Sequence, residues 1–273
     1  MADPMSEFAG ASFRALRLLR TGALRLAGPV EATVRRLRNA SDLPPLWLRR
    51  HSGRVALFES AARDSARLIR EANFVRPDEL VLDLGCGPGA MAPHIASLLG
   101  PNGRYCGIDV HGPSVRWCRR LSREDPRFEF HLADVRTPYS ERGLAPPASY
   151  RFPLEDATVG FALAKSLFTH LLPAEAQRYL HELRRVLMPG RYAFLTAFLF
   201  EPGSVPFFRH ADETAGVRWR RSGRPHAGIA YEKSTFLKMV GEARLTVSDF
   251  CAIFYPGRSR EVAGQDIVVL ERA

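Results

Sequence analysis

Val81-Leu82-Asp83-Leu84-Gly85-Cys86-Gly87-Pro88-Gly89 is the stretch on which the reading of this chain turns. Residues 80–84 form a short apolar run that reads as a buried strand. Three glycines in the next five positions read as a turn whose backbone adopts conformations closed to other residues and approaches a ligand closely. Helix-like sequence follows over 90–99, so the turn joins a strand to a helix. Working outward, Pro101-Asn102-Gly103 marks a turn before a second strand at 104–109. A helix is expected over 113–123 and a third strand over 127–132. Residues 136–153, rich in Pro, Tyr and Ser, read as a loop. A strand at 158–164, a helix at 174–187 stopped by Pro189-Gly190, and a strand at 191–199 continue the alternation. A helix at 231–241 and strands near 244–250 and 265–270 close the chain. Strands alternating with helices at this spacing predict a mostly parallel sheet covered on both faces. The last two strands have too few residues between them for a helical crossover, so a hairpin with an antiparallel strand is expected at that edge.

The 273 residues suit one domain with an appendage, and 46% hydrophobic content supports a substantial core. The expected division is an N-terminal helical cap over 1–54 and a main domain over 55–273, with a basic, aromatic insertion at about 201–230. In the cap, Phe13, Leu16, Leu19 and Leu24 recur at near-helical spacing beside Arg14, Arg17, Arg20 and Arg25. No run approaches a membrane span, and MADPMSEFAG carries acids without the apolar segment of a secretory signal. Cysteines 86, 106, 118 and 251 include no CxxC pair, so reduced thiols of a cytoplasmic protein are expected. No compact carboxylate–histidine cluster is evident, and no metal is expected. The net charge is +10, and only Lys165, Lys233 and Lys238 are lysines, so arginine carries the surplus. That charge keeps a polyanion partner open as a second reading.

Two cofactors fit the glycine turn. Gly85, Gly87 and Ala90 match the dinucleotide spacing G-x-G-x-x-A, and Asp109 ends the second strand about twenty residues on, where it can bind a ribose diol. A nicotinamide dinucleotide and S-adenosylmethionine both carry such a ribose. Asp83 favours the second, because a carboxylate beneath the turn suits a cationic amino-acid end and not a pyrophosphate.

DLGCGPG is similar to the first motif of class I S-adenosylmethionine-dependent methyltransferases, and Gly107-Ile108-Asp109-Val110 resembles their second. Ala133-Asp134-Val135 resembles the adenine-recognising position, and Leu183-Arg184-Arg185-Val186-Leu187-Met188-Pro189-Gly190 resembles the helix and turn before the fifth strand. The resemblance covers about residues 78–200. It implies a Rossmann-like sandwich with a seven-stranded, mostly parallel sheet and an antiparallel edge strand. It also implies S-adenosylmethionine as cofactor and S-adenosylhomocysteine as product. By the same resemblance Asp83, Gly85, Cys86, Gly87 and Gly89 surround the methionine end, Asp109 and Val110 border the ribose, and His111 borders the ribose or adenine. Asp134 and Val135 read adenine, and Lys165 lies close by. Two departures stand out: Arg191 replaces a common second glycine, and Gly160 replaces a common acid.

Ala164-Lys165-Ser166-Leu167-Phe168-Thr169-His170-Leu171-Leu172 follows the fourth strand, on the side of the acceptor. Its SLFTHL string resembles a subgroup of bacterial small-molecule methyltransferases. His170 is the candidate general base, since imidazole titrates near neutrality. Phe168, His170, Phe208, Arg209, Trp219 and Tyr231 are candidates to touch an aromatic or anionic acceptor, and His226 and Tyr231 are reserve acid–base groups. The leading expectation is methyl transfer to an oxygen of a small organic molecule, a secondary metabolite or carboxylic acid. The alternatives are methylation of RNA or another polyanion, and a non-catalytic cofactor-binding scaffold.

Overall fold

The computed structural model describes residues 43–51, 55–140, 143–202, 208, 210–251 and 265–273. The basic helix expected around Phe13 to Arg25 lies outside the described residues, as does Arg209. Of the expected cap, helix α1 (Leu46–His51) is described, and its Leu48 is buried.

Helix α2 (Phe58–Glu71) turns Ala61, Ala62, Ser65, Ala66 and Ile69 inward. The four small residues among them, at helical spacing, let it lie close on the sheet. Strand β1 (Leu80–Leu84) leads through the glycine turn to a single helical turn, α3 (Ala92–Ala96), shorter than expected. Then come β2 (Arg104–Asp109), α4 (Gly112–Cys118), α5 (Leu121–Glu124) and β3 (Phe128–Leu132). After the loop come β4 (Val159–Ala164), α6 (Pro173–Val186) and β5 (Leu187–Ala197). Helix α6 starts where sequence chemistry puts it: Pro173 is its first residue, and the Glu175 carboxylate accepts the Leu172 N–H at 2.7 Å.

These strands, with β10 (Thr246–Cys251) and β11 (Asp266–Arg272), form one seven-stranded sheet in the order β10-β11-β5-β4-β1-β2-β3. Strands β1 to β5 run parallel, and β11 runs antiparallel to both β5 and β10. The reversed strand is therefore second from the edge, inserted by the hairpin between β5 and β10. Two hydrophobic layers cover the sheet. Leu82, Leu84, Ala162 and Leu195 share one with α6 and Phe236. Val81, Tyr105, Phe161 and Phe194 share the other with α2, α3 and α4. Among the described residues no helix is long and apolar enough to cross a membrane.

The insertion carries a second sheet of β6 (Leu199–Phe200), β7 (His210–Asp212), β8 (Val217–Trp219) and β9 (Ile229–Glu232), in the order β6-β9-β8-β7. Strands of two to four residues are too short to show alternation in sequence. Helix α7 (Lys233–Glu242) follows directly.

The two departures at 160 and 191 form one device. Gly160 is skipped in the registers of β4 with both β1 and β5, a bulge. Its carbonyl accepts the Arg191 Nε–H at 2.9 Å, and Arg191 Nη2 donates to the Phe74 carbonyl at 2.8 Å and to the Glu79 carboxylate. A Cβ at Gly160 would lie 2.4–2.5 Å from the Glu79 side chain. Glu79 thus fills the space of the side chain that Gly160 lacks, and Arg191 does more than alter a turn. Pro189-Gly190 does not stop a helix at a distance from the strand; it is an excursion within β5, between Leu187 and Tyr192 in the register with β4.

Candidate functional site

Strands β1, β2 and β3 build the sheet in one direction and β4 and β5 in the other, so the order reverses between β1 and β4. In open parallel sheets ligands bind outside the carboxyl ends of strands at this reversal. Here three segments meet there: the turn 85–89 after β1, Asp109 at the end of β2, and residues 165–172 after β4.

Gly85, Gly87 and Gly89 have φ of +72°, +54° and +83°, the left-handed region where a side chain is strained. The Gly85 and Cys86 N–H groups donate to the Ile108 carbonyl, at 2.8 and 3.2 Å, which ties the turn to β2. Gly87 N–H donates to Asp109 Oδ2 at 2.8 Å and His111 N–H to Oδ1 at 2.7 Å. A carboxylate offers about four lone-pair sites, so acceptor capacity remains beyond these backbone donors. A half-buried carboxylate of this kind at a strand end suits the hydroxyls of a ribose. Burial pushes the Asp109 carboxyl up, opposed by the backbone N–H groups of His111, Gly87 and Val110. Behind the turn, a Cβ at Gly107 would meet the Phe130 ring at 2.6 Å and Cys86 Sγ at 3.0 Å, so that position has no room for a side chain.

Asp83 is 2% exposed and accepts the Tyr105 hydroxyl at 2.5 Å. Burial pushes its carboxyl up to about 7, against the Tyr105 hydrogen bond and the nearby Lys165 ammonium. Burial in turn lowers the Lys165 ammonium. Cys86 and Cys118 are buried, each with its thiol directed to the Gly87 carbonyl, at 3.7 and 3.4 Å. His111 caps the start of α4 and pairs through Nδ1 with Ser114 Oγ at 2.8 Å. Val110 is half-buried beside it. Asp134, exposed past the end of β3, accepts the Leu144 N–H at 3.0 Å through Oδ1. The Val135 side chain is wholly in the core, which leaves its backbone as the part that could face a ligand.

On the acceptor side three aromatic expectations are corrected. Phe168 is 0% exposed and packs edge-on against Phe236. Tyr231 is 0% exposed, packs on the same ring, and donates its hydroxyl to the Leu171 carbonyl. Phe208 is buried against Phe198, 5.0 Å between ring centres. Aromatic identity alone does not separate core from pocket, and here packing took all three. Trp219 is half-buried, stacks on His210, and its Nε1 is enclosed without a hydrogen-bond partner among the described residues. Next to it, Arg220 places its guanidinium 4.8 Å from the Phe198 ring centre and 5.1 Å from that of Phe208.

His170 is half-buried, with Nδ1 2.8 Å from the His226 carbonyl, while His226 Nδ1 lies 2.9 Å from the His170 carbonyl. Burial holds the His170 imidazole below its usual range, and the Arg220 charge adds to this. Two residues escaped sequence reasoning. Tyr139 places its hydroxyl 3.1 Å from His170 Nδ1 and 3.2 Å from the His226 carbonyl. Gln265 accepts the Ser166 and Thr196 hydroxyls through Oε1, at 2.9 and 2.5 Å. Thr196 in turn accepts the Ser166 N–H at 2.7 Å, and Ser166 itself has φ +59°. Strain of this kind in a non-glycine residue needs surrounding structure to hold it.

Residues 81–190 match the family described as a methyltransferase domain. An uncharacterized 37.1 kDa protein of transposon TN4556 from Streptomyces fradiae is 36% identical over 131 residues, 48% of this chain and 33% of that one. The probable cobalt-precorrin-6B C(15)-methyltransferase (decarboxylating) of Thermoplasma acidophilum is 42% identical over 65 residues, 22% and 32% of the two chains. This chain thus spans about a third of the length of these relatives. Among solved structures, the 1,6-didemethyltoxoflavin-N1-methyltransferase of Burkholderia thailandensis, with bound 1,6-didemethyltoxoflavin and S-adenosylhomocysteine, superposes with a TM-score of 0.56 at 18% identity. That match covers 81% of this chain and 82% of the other, and shows a shared fold. The family match marks residues 81–190 as a methyltransferase domain, and the strand order, the glycine turn and the acid at the end of β2 give it the Rossmann-like methyltransferase fold.

Proposed function

We propose that this chain transfers a methyl group from S-adenosylmethionine to an oxygen of a small organic molecule. The observation that carries the choice of oxygen is the state of His170. Its Nδ1 is engaged by a carbonyl, which requires a proton there, and its Nε2 makes no hydrogen bond among the described residues. An imidazole so arranged is neutral near pH 7 and holds a lone pair on Nε2, as a proton acceptor must. A hydroxyl acceptor needs such a base; a carboxylate acceptor does not.

The residues present fit the cofactor. The Asp109 carboxylate at the end of β2 would accept from the ribose hydroxyls, and the positive φ angles at 85, 87 and 89 open the turn to close approach. Asp83 suits a cationic end, because a nearby positive charge favours the ionised form that burial opposes. When bound, the cofactor supplies a methyl carbon made electrophilic by a sulfonium. His170 Nε2 would take the hydroxyl proton of an acceptor held beside that methyl group, leaving the oxygen as the nucleophile. Alignment of acceptor and methyl by the crevice supplies much of the remaining rate. Arg220 over Phe198 and Phe208, together with Trp219, favours an aromatic or anionic acceptor.

The test is a panel of phenols and hydroxy acids offered with S-adenosylmethionine, read by formation of S-adenosylhomocysteine. The turnover of an accepted phenol is expected to fall by about a hundredfold in His170→Ala, the lower end of what a positioned base supplies. Cofactor affinity should stay within about twofold. Undiminished turnover would refute the base, and exclusive transfer to carbon or nitrogen would refute the choice of oxygen.

A further inference from the structure

The pair His170 and His226 is closed by reciprocal bonds. Each ring Nδ1 meets the other residue's backbone carbonyl, at 2.8 and 2.9 Å. The two histidines belong to different parts of the fold. His170 lies in the turn after β4, where its N–H donates to the Leu167 carbonyl. His226 lies in the short helical turn Pro225–Ala227 between β8 and β9 of the small sheet. The only hydroxyl that reaches this clasp among the described residues is that of Tyr139, from the 136–153 loop. The Tyr139 ring stands edge-on to the imidazole, 5.5 Å between centres at 74°.

We propose that Tyr139 is the positioning residue of His170: with the His226 carbonyl it holds the imidazole in the Nδ1–H tautomer and so keeps the lone pair on Nε2. This rests on the reading of His170 as a base. The Tyr139 hydroxyl has one proton, which it donates to the His226 carbonyl. Its oxygen then shares the His170 Nδ1–H with that carbonyl, since a phenol donates once and accepts as well. A free imidazole prefers the opposite tautomer, Nε2–H, which would put a proton on the nitrogen that has to receive one. The tautomer is set by the partner of the other ring nitrogen. Because the carbonyl comes from the small sheet and the hydroxyl from a separate loop, the base is competent only when both are docked against the 166–170 turn. The other titratable and charged groups near the clasp are Glu175, whose carboxylate is 3.6 Å from His226 Nδ1, and Arg220, whose charge lowers the His170 imidazole. Neither is hydrogen-bonded to His170 Nδ1, so neither sets the tautomer.

The test uses the 273-residue chain with 15N-labelled histidine, saturated with S-adenosylhomocysteine at pH 7.5, and its tautomer readout needs no acceptor. Long-range 15N–1H spectra distinguish the two tautomers, and loss of one pattern in His170→Gln assigns it. His170 is expected to show a protonated Nδ1 and an unprotonated Nε2. In Tyr139→Phe that pattern should shift toward Nε2–H while cofactor affinity stays within about twofold. Turnover should fall on the order of tenfold, part of what the base itself supplies. A wild-type Nε2–H pattern overturns the proposal without any variant, as does a wild-type pattern retained in Tyr139→Phe. Turnover unaffected by His170→Ala overturns the base, and that failure is separable because the tautomer is read without turnover.

Discussion

Replacing Asp109 by alanine is expected to weaken S-adenosylhomocysteine binding by roughly a hundred- to ten-thousandfold. The number follows from the bonds. Two ribose hydroxyls donating to a carboxylate are charge-assisted, at about 1.5–3 kcal/mol each, and every 1.4 kcal/mol is about tenfold in affinity. The variant also releases the Gly87 and His111 N–H groups, which the carboxylate now holds at 2.8 and 2.7 Å. The turn would lose its tether to the end of β2 as well as the sugar its partner. Asp109→Asn separates the two effects. Its oxygen satisfies one backbone N–H, and its amide must face the other, so a loss of about tenfold or more is expected. Calorimetric titration checks both, with the wild-type unfolding midpoint as the control for an intact fold. Wild-type affinity in Asp109→Ala would remove the ribose from this strand end.

The second large effect concerns stability. Arg191→Met is expected to destabilise the fold by about 3–5 kcal/mol, the usual cost of leaving one partner of a buried ion pair alone. The Arg191 and Glu79 side chains are only 7% and 10% exposed. Arg191 also satisfies the bulge carbonyl of Gly160 and the Phe74 carbonyl, which the variant would leave without it. The double variant Glu79→Gln, Arg191→Met should recover a large part of the loss, because the buried charge goes with its partner. Urea denaturation at neutral pH measures all three chains. A loss below about 1 kcal/mol would place the pair in the class of weak surface bridges. This device lies at the end of the sheet remote from the glycine turn, so cofactor affinity in a folded Arg191→Met should be close to that of the wild type.

What is legible in the amino-acid sequence is local. The strand, the glycines at 85, 87 and 89 and Asp109 announce themselves within thirty residues. Each has a backbone reason tied to its residue type: positive φ for the glycines, and a strand end for the acid. Gly160 and Arg191 were visible as departures, yet their meaning needed Glu79, which reaches Arg191 across 112 positions of chain. Tyr139 reaches His170 across 31 positions and Gln265 reaches Ser166 across 99. No spacing rule joins such residues. The small sheet escaped because its strands hold only two to four residues. Phe168, Phe208 and Tyr231 were misplaced for another reason: an aromatic side chain fits a core and a binding wall equally well, and only packing decides between them.

The measurement closest to the heart of the account is a pair of titrations of the wild-type protein, one with S-adenosylhomocysteine and one with NAD. The arrangement of Asp83 beneath the turn and Asp109 beside it predicts saturable binding of the first, at micromolar or tighter affinity, and no measurable binding of the second at the same concentrations. Tighter binding of the dinucleotide, or no binding of the sulfur nucleoside, would contradict it.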